Sequence, residues 1–274
     1  MTNRFENRDH AAKLLAEKLL KFQKLDPIIL ALPRGGVPIA HEVATKLHAP
    51  LDVVLVKKIG APGHEEFAIG AVAEDEKPIL NQKIIKQYQF NSAEIESIIV
   101  NRISEIRRRA KAYRQKLPAI SLEGRNVIVI DDGLATGATM MSAIQWLRTQ
   151  NIKKIIVAVP VSSKEAAADI KKVTDDFISL HTPDEFWAVG MWYKDFPQVS
   201  DEEVIKILHK QSTATVEISR DVWIEDDMAM LQGVLNIPPK ARGLVMFAHG
   251  GGSSHKSPRN QFVAKALNDA GFGT

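Results

Sequence analysis

The chain has 274 residues, 45% of them hydrophobic and 25% charged, with a net charge of +3 and no cysteine. That is the composition of a soluble globular protein with enough length for one large domain or two modest ones. So small a positive excess suits anionic small ligands and is too small to argue for a nucleic-acid partner, and none is expected, while the missing cysteines exclude disulfides, thiolate metal sites and cysteine nucleophiles together.

The N-terminal stretch MTNRFENRDHAAKLLAEKLLKF reads as an amphipathic helix with interspersed charges, not as a signal peptide. No uninterrupted apolar run reaches the roughly 18 residues needed to cross a bilayer. The expectation is a cytoplasmic protein with no membrane partner. Strand-like runs then alternate with helical patterns to about residue 210. Strands are expected at Pro27 to Leu32, Leu51 to Lys57, Phe67 to Val72, Asn126 to Asp131, Lys154 to Pro160 and Asp176 to Leu180. Helices are expected at Val37 to Leu47, Ser92 to Lys116, Gly137 to Arg148 and Lys164 to Lys172. Several strands are continuous β-branched runs, as in sheets buried on both faces. The rhythm predicts an α/β fold, a doubly wound and mostly parallel sheet. Ligands in such folds sit beyond the carboxyl ends of the strands, so the loops after Leu32, Val56, Ile130 and Leu180 are where chemistry is expected.

The pattern changes near residue 212, where short strand-like runs, an IPPKARG turn and a final helix follow one another. A domain boundary is therefore expected there, giving units 1–211 and 212–274.

The stretch VIVIDDGLATGATM, Val127 to Met140, combines a buried strand, two adjacent acids and a small-residue turn into a helix. Backbone N–H groups in that turn, with the hydroxyls of Thr136 and Thr139, suit a phosphate at a helix N-terminus. The loop lacks the lysine of a G-x-x-x-x-G-K-[ST] nucleotide loop. Two carboxylates facing that phosphate would repel it, but beside it they can accept hydrogen bonds from vicinal hydroxyls. A ribose 5-phosphate meets both demands, and fixed negative charge also stabilises positive charge developing on the ring if its C1′ bond breaks.

Four apolar residues, two acids and GLATGAT closely resemble the signature loop of the type I phosphoribosyltransferases. The resemblance implies an enzyme that uses 5-phosphoribosyl-1-pyrophosphate (PRPP) with magnesium and replaces its pyrophosphate with a nucleobase or other nitrogen acceptor. It assigns Asp131 and Asp132 to the ribose and Leu134, Ala135, Thr136, Gly137, Ala138 and Thr139 to the 5-phosphate. LPRGGVPIA then corresponds to the pyrophosphate loop, with Arg34, Gly35 and Gly36. VKKIGAPGHEEFAIG resembles the family's flexible loop, with Lys57 as a catalytic contact and Lys58 beside it at the pyrophosphate. The aromatic segment HTPDEFWAVGMWYKDFPQVSDEE resembles the hood of purine enzymes, where Phe186, Trp187 and Val189 match the base-binding place. Ala135 stands where 6-oxopurine enzymes carry an aspartate, which weakens hypoxanthine and guanine as substrates.

No metal-ligand spacing such as H-E-x-x-H occurs, so Mg2+ is expected to arrive with PRPP, held by its oxygens and water. The basic run EIRRRAKAYRQK is read as a solvated face or a subunit contact, compatible with a homodimer. The tail GLVMFAHGGGSSHKSPRNQFVAKALNDAGFGT resembles the start of an α/β-hydrolase of the dienelactone hydrolase type. His249 to Gly252 correspond to its oxyanion segment, but no G-x-S-x-G nucleophile occurs, so His249 and His255 are not read as a catalytic pair. The tail is expected to be the head of a domain cut short, non-catalytic, and either poorly packed, associated with a partner or disordered. A non-catalytic PRPP-binding regulatory module remains the alternative to an enzyme.

Overall fold

The computed structural model describes residues 4–115, 119–215, 218–226, 229–238, 241–248, 254 and 256–274. The chain divides into two compact units, Met1–His209 and Lys210–Thr274.

The first unit opens with helix α1 (Arg8–Leu19), capped by the Asn7 side chain, and one 3-10 turn (Leu20–Leu25). Then come strand β1 (Ile28–Ala31), helix α2 (Gly36–Leu47), strands β2 (Leu51–Val53), β3 (Val56–Ala61), β4 (His64–Ala73) and β5 (Ile79–Leu80), and helices α3 (Gln82–Tyr88) and α4 (Ser92–Arg114). Strand β6 (Asn126–Ile130), helix α5 (Ala138–Leu147), strand β7 (Lys154–Val161), helix α6 (Lys164–Val173) and strand β8 (Asp176–His181) complete the alternation.

Five strands form one sheet in the order β2-β1-β6-β7-β8, parallel throughout. Its strands are apolar at successive positions because both faces are covered. Ile29, Ala31, Ile128, Ile130, Ile156 and Ala158 pack with α1 and α2 on one face. Ile28, Leu30, Val127, Val129, Ile155 and Val157 pack with α5 and α6 on the other. The sheet is thus doubly wound, as expected.

Strand order reverses between β1 and β6: α2 leads from β1 outward to β2, while β7 and β8 extend beyond β6 on the opposite side. The loops leaving β1 and β6 diverge at that point, which opens a crevice at their carboxyl ends. The two motifs singled out in the sequence, Arg34–Gly36 and Asp131–Thr139, flank it.

One segment differs from expectation. Lys57 to Gly70 does not form a long loop. Strands β3 and β4 pair antiparallel from Val56↔Ala73 to Ala61↔His64 around a Pro62–Gly63 turn, and β5 joins them in a three-stranded sheet. Expected strands Leu51 to Lys57 and Phe67 to Val72 are accordingly divided and extended. In the segment that resembles the family's flexible loop, Pro62 and Gly63 make a tight turn and Gly60 marks a register shift.

After β8 the chain runs through a second 3-10 turn (Val189–Trp192) to helix α7 (Asp201–Thr215). Within the second unit, strands β9 (Ile218–Asp226) and β10 (Ala229–Ile237) form an antiparallel hairpin. Helix α8 (Pro258–Asp269) is capped by the Ser257 side chain. Among the side chains of this unit whose burial is described, no hydrophobic one is buried, and Trp223, Met230, Met246 and Phe262 are exposed. His249 to Gly252 and His255 lie outside the described residues. Among the described residues no helix is long and apolar enough to cross a membrane.

Candidate functional site

Strand β6 delivers Asp131 and Asp132 to the crevice as it ends. The Asp132 N–H donates to Oδ1 of Asp131 at 2.8 Å. Burial pushes the Asp131 carboxyl well above the ordinary carboxylate range, and the neighbouring Asp132 charge adds to the rise. Burial raises Asp132 as well, against the opposing pull of a guanidinium.

That guanidinium belongs to Arg8, at the start of α1. Its Nε and one terminal nitrogen donate to Oδ2 of Asp132 at 3.0 and 2.8 Å, and the other terminal nitrogen donates to the Pro197 carbonyl at 2.6 Å. Arg8 also lies over the Phe196 ring, 3.7 Å from its centroid. The Tyr193 hydroxyl donates to the Asp132 carbonyl at 2.6 Å. Arg8 and Tyr193 thus bind Asp132 to the segment after β8, and sequence reading singled out neither. Asp132 is not sealed in by them: with Arg8, Arg34, Gly35 and Pro197–Val199 it lines an open cleft of about 340 Å³.

Gly35 and Gly36 are needed here for close approach. A Cβ on Gly35 would lie 1.9 Å from Oδ2 of Asp132, and one on Gly36 would lie 2.6 Å from the Ile130 carbonyl oxygen. Gly35 has φ −62, so backbone handedness is not its reason. Arg34 reaches toward Asp201 at 3.9 Å, and the Tyr113 hydroxyl donates to the same Asp201 oxygen at 2.5 Å. Burial, helped by that carboxylate, pushes the Tyr113 phenol up to about 12.

Beyond the acids the loop turns into α5 through Gly137, whose φ of +70 favours glycine. Ala135, Thr136, Ala138 and Thr139 are exposed around the helix mouth, where the first-turn N–H groups have no acceptor within the helix. Leu134 differs from the other five residues of this group. Its side chain is buried, its N–H donates to the Val161 carbonyl, and its carbonyl accepts from the Ser163 N–H. Leu134 therefore holds the loop to β7 and has no backbone group left over for an anion. Ser163 fixes the next link, its hydroxyl donating to the Ala135 carbonyl at 2.7 Å while capping α6.

Lys57 and Lys58 stand on β3. Lys57 is held 2.8 Å from Glu105 of α4, and this pairing lowers the Glu105 pKa. In the expected base-binding segment, Trp187 is 81% exposed. Phe186 stacks against Trp192 with ring centroids 6.5 Å apart, and Val189 packs on Gly133. Of the three, only Trp187 is a free aromatic face. Among the described residues no group of three or more acidic or histidine side chains is arranged to hold a metal.

Comparison with known proteins finds relatives of this chain. The family model for the phosphoribosyl transferase domain matches residues 3–195. A relative in Mycobacterium tuberculosis, present in strains H37Rv and CDC 1551 under the provisional name of a phosphoribosyl transferase, is 37% identical over an alignment of 282 positions. The match covers 98% of this chain, so residues beyond 195 have counterparts there too, and this chain spans 64% of that relative's length. The crystal structure of TT1426 from Thermus thermophilus is 41% identical with a TM-score of 0.70, covering 76% of this chain and 99% of that one. With the family model matched over most of its length, the chain belongs to the phosphoribosyl transferase domain family.

Proposed function

We propose that the first unit transfers a 5-phosphoribosyl group from PRPP to a nitrogen acceptor of the nucleobase class, releasing pyrophosphate. The observation that carries this reading is the juxtaposition of Asp131 and Asp132 with the exposed mouth of α5 and with the Arg34–Gly36 turn, which packs against Asp132. The mouth of α5, with Thr136 and Thr139, takes the 5-phosphate. Asp131 and Asp132 accept from the ribose hydroxyls. Arg8 contacts only Oδ2 of Asp132 among its described hydrogen bonds to that side chain, which leaves Oδ1 for substrate. Arg34 takes the diphosphate as a forked donor. As the C1′–oxygen bond lengthens, the paired carboxylates stabilise the growing positive charge. Magnesium would arrive with the substrate and would supply neutralisation of the diphosphate charge, with no residue of this chain assigned to hold it. The acceptor stacks on Trp187. The hydrolase resemblance of residues 212–274 has no share in this chemistry.

A regulatory PRPP-binding module is the second reading, favoured by one observation: Asp132 and Lys57 are both ion-paired within the protein. The test is pyrophosphate release from Mg-PRPP across a panel of nitrogen acceptors. Release with at least one acceptor supports the transferase. Tight PRPP binding with no release for any acceptor supports the regulatory module, and absence of PRPP binding overturns both.

A further inference from the structure

Helix α4 carries a row of arginines that the proposed chemistry leaves unused. Arg102 pairs with Glu65 and Glu105, Arg107 with Glu76, and Arg114 with Asp52 and Glu74. Arg108 is exposed. Arg109 differs from all of them. Its Nε is buried without a hydrogen-bond partner, and among the described residues no carboxylate pairs with it. A guanidinium nitrogen taken from water and given nothing in return is costly, and a bound anion removes that cost.

Arg109 lines a narrow cleft with Pro33, Lys57 and Thr139. Those three residues come from the turn after β1, from β3 and from the first turn of α5, so the cleft lies on the border between the expected pyrophosphate and 5-phosphate loops. Its enclosed space is about 20 Å³, enough for one oxygen-sized group and not for a diphosphate. An anion would therefore rest at the mouth and insert a single phosphoryl oxygen. Lys57, the residue singled out for this duty from the sequence, is already neutralised by Glu105 at 2.8 Å. The cation left unneutralised in the cleft, among the described residues, is Arg109.

We infer that Arg109 is a diphosphate-binding residue that acts with Arg34, a role that rests on the reading of the crevice as a PRPP site. Arg109 and Tyr113 stand four positions apart on α4, and the Tyr113 hydroxyl and Arg34 both reach the same Asp201 oxygen. The diphosphate then bridges the loop after β1 and the side of α4, and α4 becomes part of the site instead of a solvated basic face.

The test is calorimetric titration of the full chain with inorganic pyrophosphate and, separately, with inorganic phosphate. Three variants are compared: Arg109→Gln, Arg109→Lys, and Arg108→Gln as a control for the same charge change one residue away. Loss of a charge-assisted contact to a doubly charged group predicts that Arg109→Gln weakens pyrophosphate binding by about tenfold or more. Arg109→Lys recovers part of it, and Arg108→Gln changes it little, with thermal unfolding temperatures of all three close to wild type. Equal effects of Arg108→Gln and Arg109→Gln would reduce the role to general charge and overturn the inference. So would unchanged pyrophosphate affinity in Arg109→Gln, or equal weakening of phosphate and pyrophosphate. If wild type releases pyrophosphate from PRPP while Arg109→Gln binds pyrophosphate normally, this inference fails and the transferase reading stands. If wild type binds neither pyrophosphate nor PRPP, both fall.

Discussion

Arg8 Nε and a terminal nitrogen of the same guanidinium converge on one oxygen of Asp132, at 3.0 and 2.8 Å, across 124 residues of sequence. The contact joins the first helix to the loop proposed to hold the ribose, and both side chains are largely buried, at 10% and 15% exposure. Removing one partner of such a pair leaves the other charged and unpaired, at a cost of about 3 kcal/mol. Arg8→Met is therefore expected to lower the unfolding temperature by several degrees and to abolish measurable PRPP binding. Arg8→Lys keeps the charge but loses the fork that spans Asp132 and the Pro197 carbonyl, and should fall between the two. Thermal unfolding and PRPP titration of both variants check this. Full PRPP affinity in Arg8→Met would remove Arg8 from any positioning role.

Asp131 should respond in the opposite sense. Its folded-state pKa is raised, chiefly by burial and then by the Asp132 charge. A raised folded value means that the native state holds a proton more tightly than the unfolded chain does. The resulting stability is fully present below the unfolded value and is lost as pH rises through the folded one. At pH values well above the unfolded one the fold therefore bears a cost at Asp131, from burying the charge or from binding the proton that removes it. Asp131→Asn, whose amide oxygen can still accept the Asp132 N–H, escapes that cost. Its unfolding temperature should exceed wild type at about pH 7.5, and the gap should close as pH falls toward about 4, even as PRPP binding is lost. A variant less stable than wild type at every pH would contradict the assignment.

Much of this arrangement could be read from local sequence, and the remainder could not for identifiable reasons. The β-branched runs at Ile28–Ala31, Asn126–Ile130 and Lys154–Val161 are buried on both faces, so their apolar continuity marked them as parallel strands. The acids and the small-residue turn after β6 are contiguous, so the loop carried its own evidence. The β3–β4 hairpin was hidden because Gly60, Pro62 and Gly63 punctuate it at both the register shift and the turn. Arg8, Tyr193 and Asp201 act on residues more than 60 positions away in sequence, as the separations of 124, 61 and 88 in their contacts with Asp132 and Tyr113 record. Nothing in their neighbourhoods announces that. The same holds for Arg109, which looks like its basic neighbours until the fold shows that its Nε has no partner.

The packing of Gly35 against Asp132 yields a sharp steric prediction. An added methyl group at 1.9 Å from Oδ2 must displace the carboxylate or the turn, and strain of this kind in a packed region costs about 1–3 kcal/mol. Gly35→Ala should unfold at lower temperature and lose PRPP affinity together. Gly63→Ala is the comparison: its φ is +74 but its surroundings are open. It should incur only backbone strain of about 1–2 kcal/mol and keep PRPP binding. Retained affinity in Gly35→Ala would mean that Asp132 is free to move without consequence, contrary to its proposed hold on the ribose.

Trp187 and Trp192 separate acceptor binding from packing. Trp187 is 81% exposed, so Trp187→Ala should change stability by no more than about 0.5 kcal/mol. If its ring stacks on the acceptor, the same variant raises the acceptor KM several-fold and leaves the PRPP KM unchanged. Trp192 is packed between His181 and Phe186. Trp192→Ala should therefore lower the unfolding temperature, by an amount set by the cavity it leaves, roughly 2–4 kcal/mol. Steady-state kinetics with both substrates varied, beside thermal unfolding of each variant, tests the division. A Trp187→Ala protein with unaltered acceptor KM would move the acceptor away from this segment and toward the cleft lined by Asp132 and Pro197–Val199.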